Sequence, residues 1–257
     1  MVRSIDLNSD LGEGFGPWSM GEDQAMLGIV TSANIACGGH ASDPETMFAT
    51  LRAAAARGVS IGAHPGYADP LGFGRRIIPM SEPEIERMVA AQIGTLMGVA
   101  AVAGAKVRYV KAHGALANLA ADERAVADAI ARAVRAISPD LGLLAISGTA
   151  LEPAGTAAGL AVYSEVFADR AYLPNGRLVP RSHPQAMLHG ATEAATRLVE
   201  FLQSGLMPTL DGPAIPLAAQ SICVHGDSAG ALAMAAGVRE ALAAAGIRLA
   251  PFLAGRA

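Results

Sequence analysis

The sequence predicts an α/β fold, a closed or nearly closed (β/α) barrel of about seven parallel strands. Three observations carry that reading. Short apolar runs alternate with helical stretches along all 257 residues, which argues a parallel sheet with crossover helices. No composition break marks a linker, so residues 1–257 are expected to form one domain. No Gly-x-Gly-x-x-Gly follows the first strand to favour an open dinucleotide-binding sheet.

The elements follow in order. Residues 4–11, Ser-Ile-Asp-Leu-Asn-Ser-Asp-Leu, alternate with period two and read as a strand. Its polar positions include Asp6, Asn8 and Asp10, with Glu13 just beyond, and Asp and Asn are poor strand formers. Such a strand is expected to open into a cleft and present its acids to a ligand; the plain alternative is a polar edge strand. Residues 31–36 are a second strand, containing Asn34 and closed by Cys37-Gly38-Gly39-His40. Asp43 as N-cap and Pro44 at the first helical position start a helix that Gly58 stops.

Residues 59–63 form the third strand, ending in His64-Pro65-Gly66, and a glycine-punctuated loop then carries Arg75 and Arg76. Ser81 and Glu84 have capping-box spacing. Behind them Ile85, Val89, Ile93 and Leu96 keep helical spacing as far as Gly104, with Gln92 the polar exception. Residues 106–111 are the fourth strand, followed by Ala112-His113-Gly114, and an amphipathic helix covers about 122–137. The apolar run 141–146 suits a strand buried on both faces. Residues 160–170 are the sixth strand and its polar exit, with Glu165, Asp169 and Arg170. A Pro-rich loop with a hairpin-like turn at Asn175-Gly176 leads to a helix over about 191–203. The seventh strand, 221–224, runs into His225-Gly226-Asp227, and an Ala-rich helix follows to Gly246.

Composition narrows the function. Net charge is −4 with no basic run, so neither nucleic acid nor an anionic membrane is the expected partner. Two cysteines, Cys37 and Cys223, suit a reducing compartment rather than a disulfide scaffold. The N-terminus turns acidic before any apolar segment, and no uninterrupted apolar run reaches the roughly 20 residues of a membrane span. A cytoplasmic protein is expected.

Six of the seven proposed strands deliver ionisable groups at their C-terminal ends, the face on which barrel enzymes carry their chemistry. Four of the six histidines, His40, His64, His113 and His225, fall at such exits, while His183 and His189 read as surface. Lys111, inside a strand, would be costly to bury unless it faces acids such as those of the first strand; the alternative is outward snorkelling. Cys37 is a nucleophile without a visible helper or a small packing residue. Arg75-Arg76 is either a lid pair for an anion or a solvated loop. Trp18 and Tyr67 are candidates for pocket walls. Asp10, His64 and His113 are the candidate ligands should a metal be bound.

At these residues the chain resembles the LamB/YcsF family. The resemblance lies in Asp6-Leu-Asn-Ser-Asp-Leu-Gly-Glu13, Ala33-Asn-Ile-Ala-Cys-Gly-Gly-His40, Gly62-Ala-His-Pro-Gly-Tyr67, Gly72-Phe-Gly-Arg-Arg76, Lys111-Ala-His-Gly-Ala-Leu-Ala-Asn118, Glu165-Val-Phe-Ala-Asp-Arg170 and His225-Gly-Asp227. Ala112 and Ala117 depart from the Pro and Tyr usual there. The resemblance implies a barrel of the glycoside hydrolase/deacetylase type. It also implies ATP-dependent opening of 5-oxo-L-proline to L-glutamate, performed with B and C subunits and a divalent cation accompanying ATP. On that reading Asp10, or its neighbour Asp6, is the base for water, and Lys111 and His113 stabilise or protonate oxygens. Asn8, Glu13, Asn34, His40, His64, Arg75, Glu165, Asp169, Arg170, His225 and Asp227 are expected to bind substrate or phosphate. No Gly-x-x-x-x-Gly-Lys-[Ser/Thr] is present, so a nucleotide site within this chain is not indicated. Two rivals remain at this point: a metal-dependent deacetylase on the same barrel, and a non-catalytic lactam- or carbohydrate-binding subunit.

Overall fold

A computed structural model describes residues 2–227 and 230–253. Seven parallel strands close a barrel: β1 (Ser4–Leu11), β2 (Ser32–Ala36), β3 (Ser60–His64), β4 (Val107–Val110), β5 (Gly142–Ile146), β6 (Ala161–Phe167) and β9 (Ser221–Cys223). Closure is made by β9, which pairs with β6 through Glu165↔Ser221 and with β1 through Asp6↔Ser221. All seven coincide with the runs read from the sequence. The intervening β7 (Leu206–Thr209) and β8 (Gly212–Pro216) form a separate antiparallel hairpin, and β10 (Arg248–Leu249) adds to the start of β1.

The helices are α1 (Asp23–Met26), α2 (Pro44–Ala56), α3 (Glu82–Ala103), α4 (Gly114–Asp122), α5 (Arg124–Ile137), α6 (Leu151–Ala157), α7 (Ala191–Ser204) and α8 (Ala231–Ala244). Their starts follow the signals in the sequence. Asp43 accepts from the backbone N–H of Glu45 and Thr46 at the head of α2, and Ser81 with Glu84 closes the capping box of α3. α3 is long and apolar enough to cross a membrane by length and composition. Here its Ile85, Val89, Ile93 and Leu96 are buried in the core, against the barrel and the neighbouring helices. The short α1, α4 and α6, and the β7–β8 hairpin, lack a periodic pattern long enough to read.

The first strand is buried on both sides, not half-solvated. Ile5, Leu7 and Leu11 face the helices, while Asp6, Asn8 and Asp10 alternate with them into the barrel. Where the strands begin, Tyr109, Leu144 and Leu253 form a small separate cluster with Tyr163 and Phe252 that plugs the barrel. Gly62 makes room for it, because a Cβ there would overlap the Tyr109 ring.

Candidate functional site

The barrel interior is polar, and it is ordered in layers set by the period-two alternation of β1. At the lowest layer Asp6 accepts from Thr31 Oγ1 (2.7 Å), Ser32 Oγ (2.6 Å) and Ser221 Oγ. Burial pushes its carboxyl up to about 6, against the pull of those hydroxyls. Asp6 is fully buried and does not reach the cavity, so the expectation that it shares the role of Asp10 is corrected. Strand alternation puts the two carboxylates on one face but two pleat repeats apart, with Asn8 between them.

One layer up, Asn8 donates to Glu165 Oε2 (3.0 Å) and Ser221 Oγ (2.7 Å) and accepts from Asn34 Nδ2 (2.7 Å). Asn34 also donates to Asp10 (2.8 Å) and accepts from Tyr109 Oη (2.6 Å). The two asparagines thus direct their hydrogen bonds to protein rather than ligand. They work as positioning residues for the acids above them.

The top layer centres on Lys111. Its Nζ lies 2.9 Å from Asp10 Oδ1 and 2.9 Å from Glu165 Oε2, and 5.4 Å from the centre of the Phe167 ring. Burial opposes the ammonium, but Asp10 and then the other acids prevail and hold its pKa well above the usual lysine value. Burial likewise opposes the Asp10 carboxylate, and His64 followed by Lys111 outweighs it, holding it well below the ordinary range. Lys111 therefore points inward, charged.

Beside it, His225 Nδ1 contacts both Asp169 carboxylate oxygens, at 2.8 and 3.0 Å, and its ring stacks on Phe167. In the neutral ring the carboxylate fixes the proton on Nδ1 and leaves Nε2 as the unprotonated nitrogen. Asp169 stays below the usual range because His225 overrides the effect of burial. Arg197 donates to the carbonyls of Phe167, Ala168 and Arg170 and so holds this exit of β6 in place.

The third group is a histidine stack. His40 and His113 lie parallel with ring centres 3.6 Å apart, and His64 meets both edge-on. Glu13 Oε1 is 3.0 Å from His40 Nε2 and 3.7 Å from His113 Nδ1. Burial, with neighbouring imidazoles, keeps His40 and His113 well below the usual histidine value, so both are neutral near pH 7. Burial and the Asp10 charge push Glu13 up to about 8.

These groups ring a cavity of about 480 Å³ at the C-terminal ends of the strands. Asp10, His64, Lys111, His113, Glu165 and His225 line it, together with the buried Arg170 and with Arg75, Arg177 and Arg181, which are more open to solvent. Burial, then Arg181, lowers Arg170 to about 10, which leaves it charged at neutral pH. Asn8, Glu13, Asn34, His40 and Asp169 stand behind the lining; Asp227 accepts from Arg75 at 2.6 Å. Arg76 instead pairs with Asp69 and faces solvent, so the two arginines do not act as a pair. Trp18 is 71% exposed and Tyr67 sits in the core, and neither lines the cavity. His183 and His189 are exposed.

Three functional contributors escaped the sequence reading. Arg177 and Arg181 belong to the Pro-rich loop, and their charge in an otherwise turn-forming stretch is the signal that could have found them. Gln92, the polar exception in α3, accepts from Gly66 N at 3.0 Å and donates to Gly66 O at 2.7 Å, clamping the loop after His64. Cys37 is buried beside the start of the His64 loop, and burial pushes its thiol up to about 12, which disfavours the thiolate that a nucleophile needs. Ala112 and Ala117 both line the cavity wall.

A family model described as "LamB/YcsF family" matches residues 5–256. The chain is 51% identical over 255 residues to the A subunit of 5-oxoprolinase from Rhodopseudomonas palustris (strain BisA53), covering 99% of this chain and 100% of that one. It is 51% identical over 250 residues to a protein of the same name from Nitrobacter hamburgensis, with 97% and 98% covered. Among solved structures, a lactam utilization protein from Thermus thermophilus superposes with a TM-score of 0.90 at 40% identity over 96% of this chain and 99% of that one. A putative cellobiose-phosphate cleavage protein from Enterococcus faecalis V583 shares the fold alone, with a TM-score of 0.58 at 14% identity over 98% of each chain.

Proposed function

The chain belongs to the LamB/YcsF family, and from that premise we propose that it is the lactam-opening component of a 5-oxoprolinase, acting with B and C subunits to convert 5-oxo-L-proline to L-glutamate with hydrolysis of ATP. The observation that carries the reading is one cavity wall shared by a buried, charged Lys111 and the His225–Asp169 pair. A lactam carbonyl is a resonance-stabilised, weak electrophile. Its hydrolysis needs positive charge at the oxygen and a base for water, and these are the two groups present.

ATP would supply the activation, by transfer of its terminal phosphoryl group to the carbonyl oxygen. The chain's own residues do the rest. Arg170 and the more open arginines hold the substrate carboxylate or the phosphoryl oxygens. Lys111, fixed by Asp10 and Glu165, stabilises negative charge as the carbonyl carbon becomes tetrahedral. Water attacks that carbon and gives its proton to His225 Nε2. The C–N bond then breaks, the proton passes to the departing ring nitrogen, and a second water hydrolyses the acyl phosphate left behind, releasing phosphate and the side-chain carboxylate of L-glutamate. In this geometry Asp10 holds Lys111 and faces His64 rather than serving as the base, a role that passes to His225.

Reconstitution with B and C chains tests the reading, with glutamate and ADP followed together. Lys111→Met, His225→Asn and Asp10→Asn should each abolish or severely reduce coupled glutamate release. Normal release from all three sinks it.

A further inference from the structure

Glu13, His40, His64 and His113 place four donor atoms within 4.8 Å of one another, all in buried side chains. The hydrogen bonds around them fix where the ring protons lie. His64 Nδ1 is 2.8 Å from the Lys111 carbonyl, and His113 Nε2 is 2.8 Å from the Phe73 carbonyl. A carbonyl only accepts, so both of those nitrogens carry hydrogen. The remaining nitrogens, His64 Nε2 and His113 Nδ1, face each other at 3.0 Å. In neutral rings both are lone pairs, and two lone pairs so close repel unless a shared proton or a metal ion lies between or beside them. A backbone carbonyl on the far nitrogen is also how proteins aim a metal-binding imidazole.

The local backbone supports this aim. Phe73, whose carbonyl holds His113, adopts a left-handed conformation (φ 52°), which a bulky side chain rarely does. Gly74 follows with φ 60°, and a Cβ there would press on both His40 and His113. The loop is thus folded, at some conformational cost, to seat the stacked rings.

The spacing suits an ion. Around a tetrahedral centre with bonds near 2.0–2.1 Å, neighbouring ligand atoms are about 3.4 Å apart. Three of the six pairs bracket that value, at 3.0 Å (His40–Glu13), 3.0 Å (His64–His113) and 3.7 Å (His113–Glu13), and all six fall within 4.8 Å. We infer that Glu13, His40, His64 and His113 form a binding site for one divalent transition metal ion, with zinc the best match to three imidazoles and a carboxylate. The ligand set differs from the Asp10, His64 and His113 set considered from sequence. Asp10 Oδ1 is held by Lys111 at 2.9 Å and Asn34 at 2.8 Å, its Oδ2 lies 3.4 Å from His64 Nε2, and it stands outside the group of four donors. His64 and His113 line the cavity, so the ion borders the space in which substrate would sit. The assignment does not rest on the lactam chemistry.

The test uses the full chain, stripped with a chelator and titrated with Zn²⁺, and separately with Co²⁺, with no nucleotide or partner present. One ion per chain is expected, with the visible absorption of tetrahedral Co²⁺. Glu13→Gln, His64→Ala and His113→Ala should each weaken binding by on the order of 100-fold or more, since losing even an outer partner of a ligand costs about 10–100-fold. Asp10→Asn should still bind one ion. Circular dichroism of the stripped variants separates ligand loss from misfolding, and the near-isosteric Glu13→Gln decides where an alanine variant does not fold. Absence of stoichiometric binding overturns the site, leaving a proton shared between His64 and His113. Binding lost in Asp10→Asn but kept in Glu13→Gln also overturns it. Failure of glutamate release in a reconstituted enzyme that binds the ion normally counts against the lactam reading alone.

Discussion

Lys111 Nζ stands 2.9 Å from Asp10 Oδ1, a pairing between groups 101 positions apart in the chain. Both side chains are almost wholly buried, at 5% and 6% exposure. Removing the ammonium strands Asp10 and Glu165 in a low-dielectric interior. Lys111→Met is expected to destabilise the fold by about 3–5 kcal/mol, the usual result of breaking a buried ion pair from one side. Chemical denaturation reads this directly. A loss below about 1 kcal/mol would show that water or a proton compensates the acids.

The His225–Asp169 pair makes a kinetic prediction. His225→Asn should lower kcat of the reconstituted enzyme by roughly 10²–10⁴-fold, the range supplied by a positioned base, with little change in KM. Asp169→Asn should act in the same direction, because the ring would lose the acceptor that fixes its tautomer. A pure KM effect for either variant would reassign them to substrate binding.

Asp6 makes a pH prediction. Its carboxyl rises from 3.8 to about 6 on folding, chiefly through burial. The folded chain then binds this proton more tightly than the unfolded chain, so stability falls as pH rises. The contribution is fully present below 3.8 and lost as pH passes through about 6. Asp6→Asn cannot titrate. The stability of the native chain relative to that variant should decline by about 3 kcal/mol across this window. A difference that is flat with pH rules the shift out.

Gly62 and Tyr109 provide a packing test. Gly62→Ala forces its new methyl against the Tyr109 ring and should cost about 1–3 kcal/mol. Combining it with Tyr109→Leu should recover part of that loss, because the ring is the obstacle. Strictly additive losses would place the clash elsewhere.

Burial raises the thiol of Cys37 to about 12 and that of Cys223 well above its ordinary value. A thiol reagent at neutral pH should therefore leave the folded protein unlabelled and modify both cysteines only on unfolding. Rapid labelling of Cys37 in the native state would reopen its candidacy as a nucleophile.

The sequence by itself determined the barrel strands and the set of groups at their ends. Period-two alternation in β1, capping residues before α2 and α3, and imidazoles next to glycine or proline are local signals, written in neighbouring residues. It did not determine which acid faces which cation. Asp6 and Asp10 share a strand face and look equivalent along the chain, yet one meets three hydroxyls and the other meets Lys111. Glu13 and His40 read as substrate ligands until closure of the barrel stacked His40 on His113 and brought Glu13 beside both. Those partnerships join residues on different strands and loops. They are set by barrel closure and by burial, which makes every unpaired charge costly, and only the tertiary structure brings those terms into play.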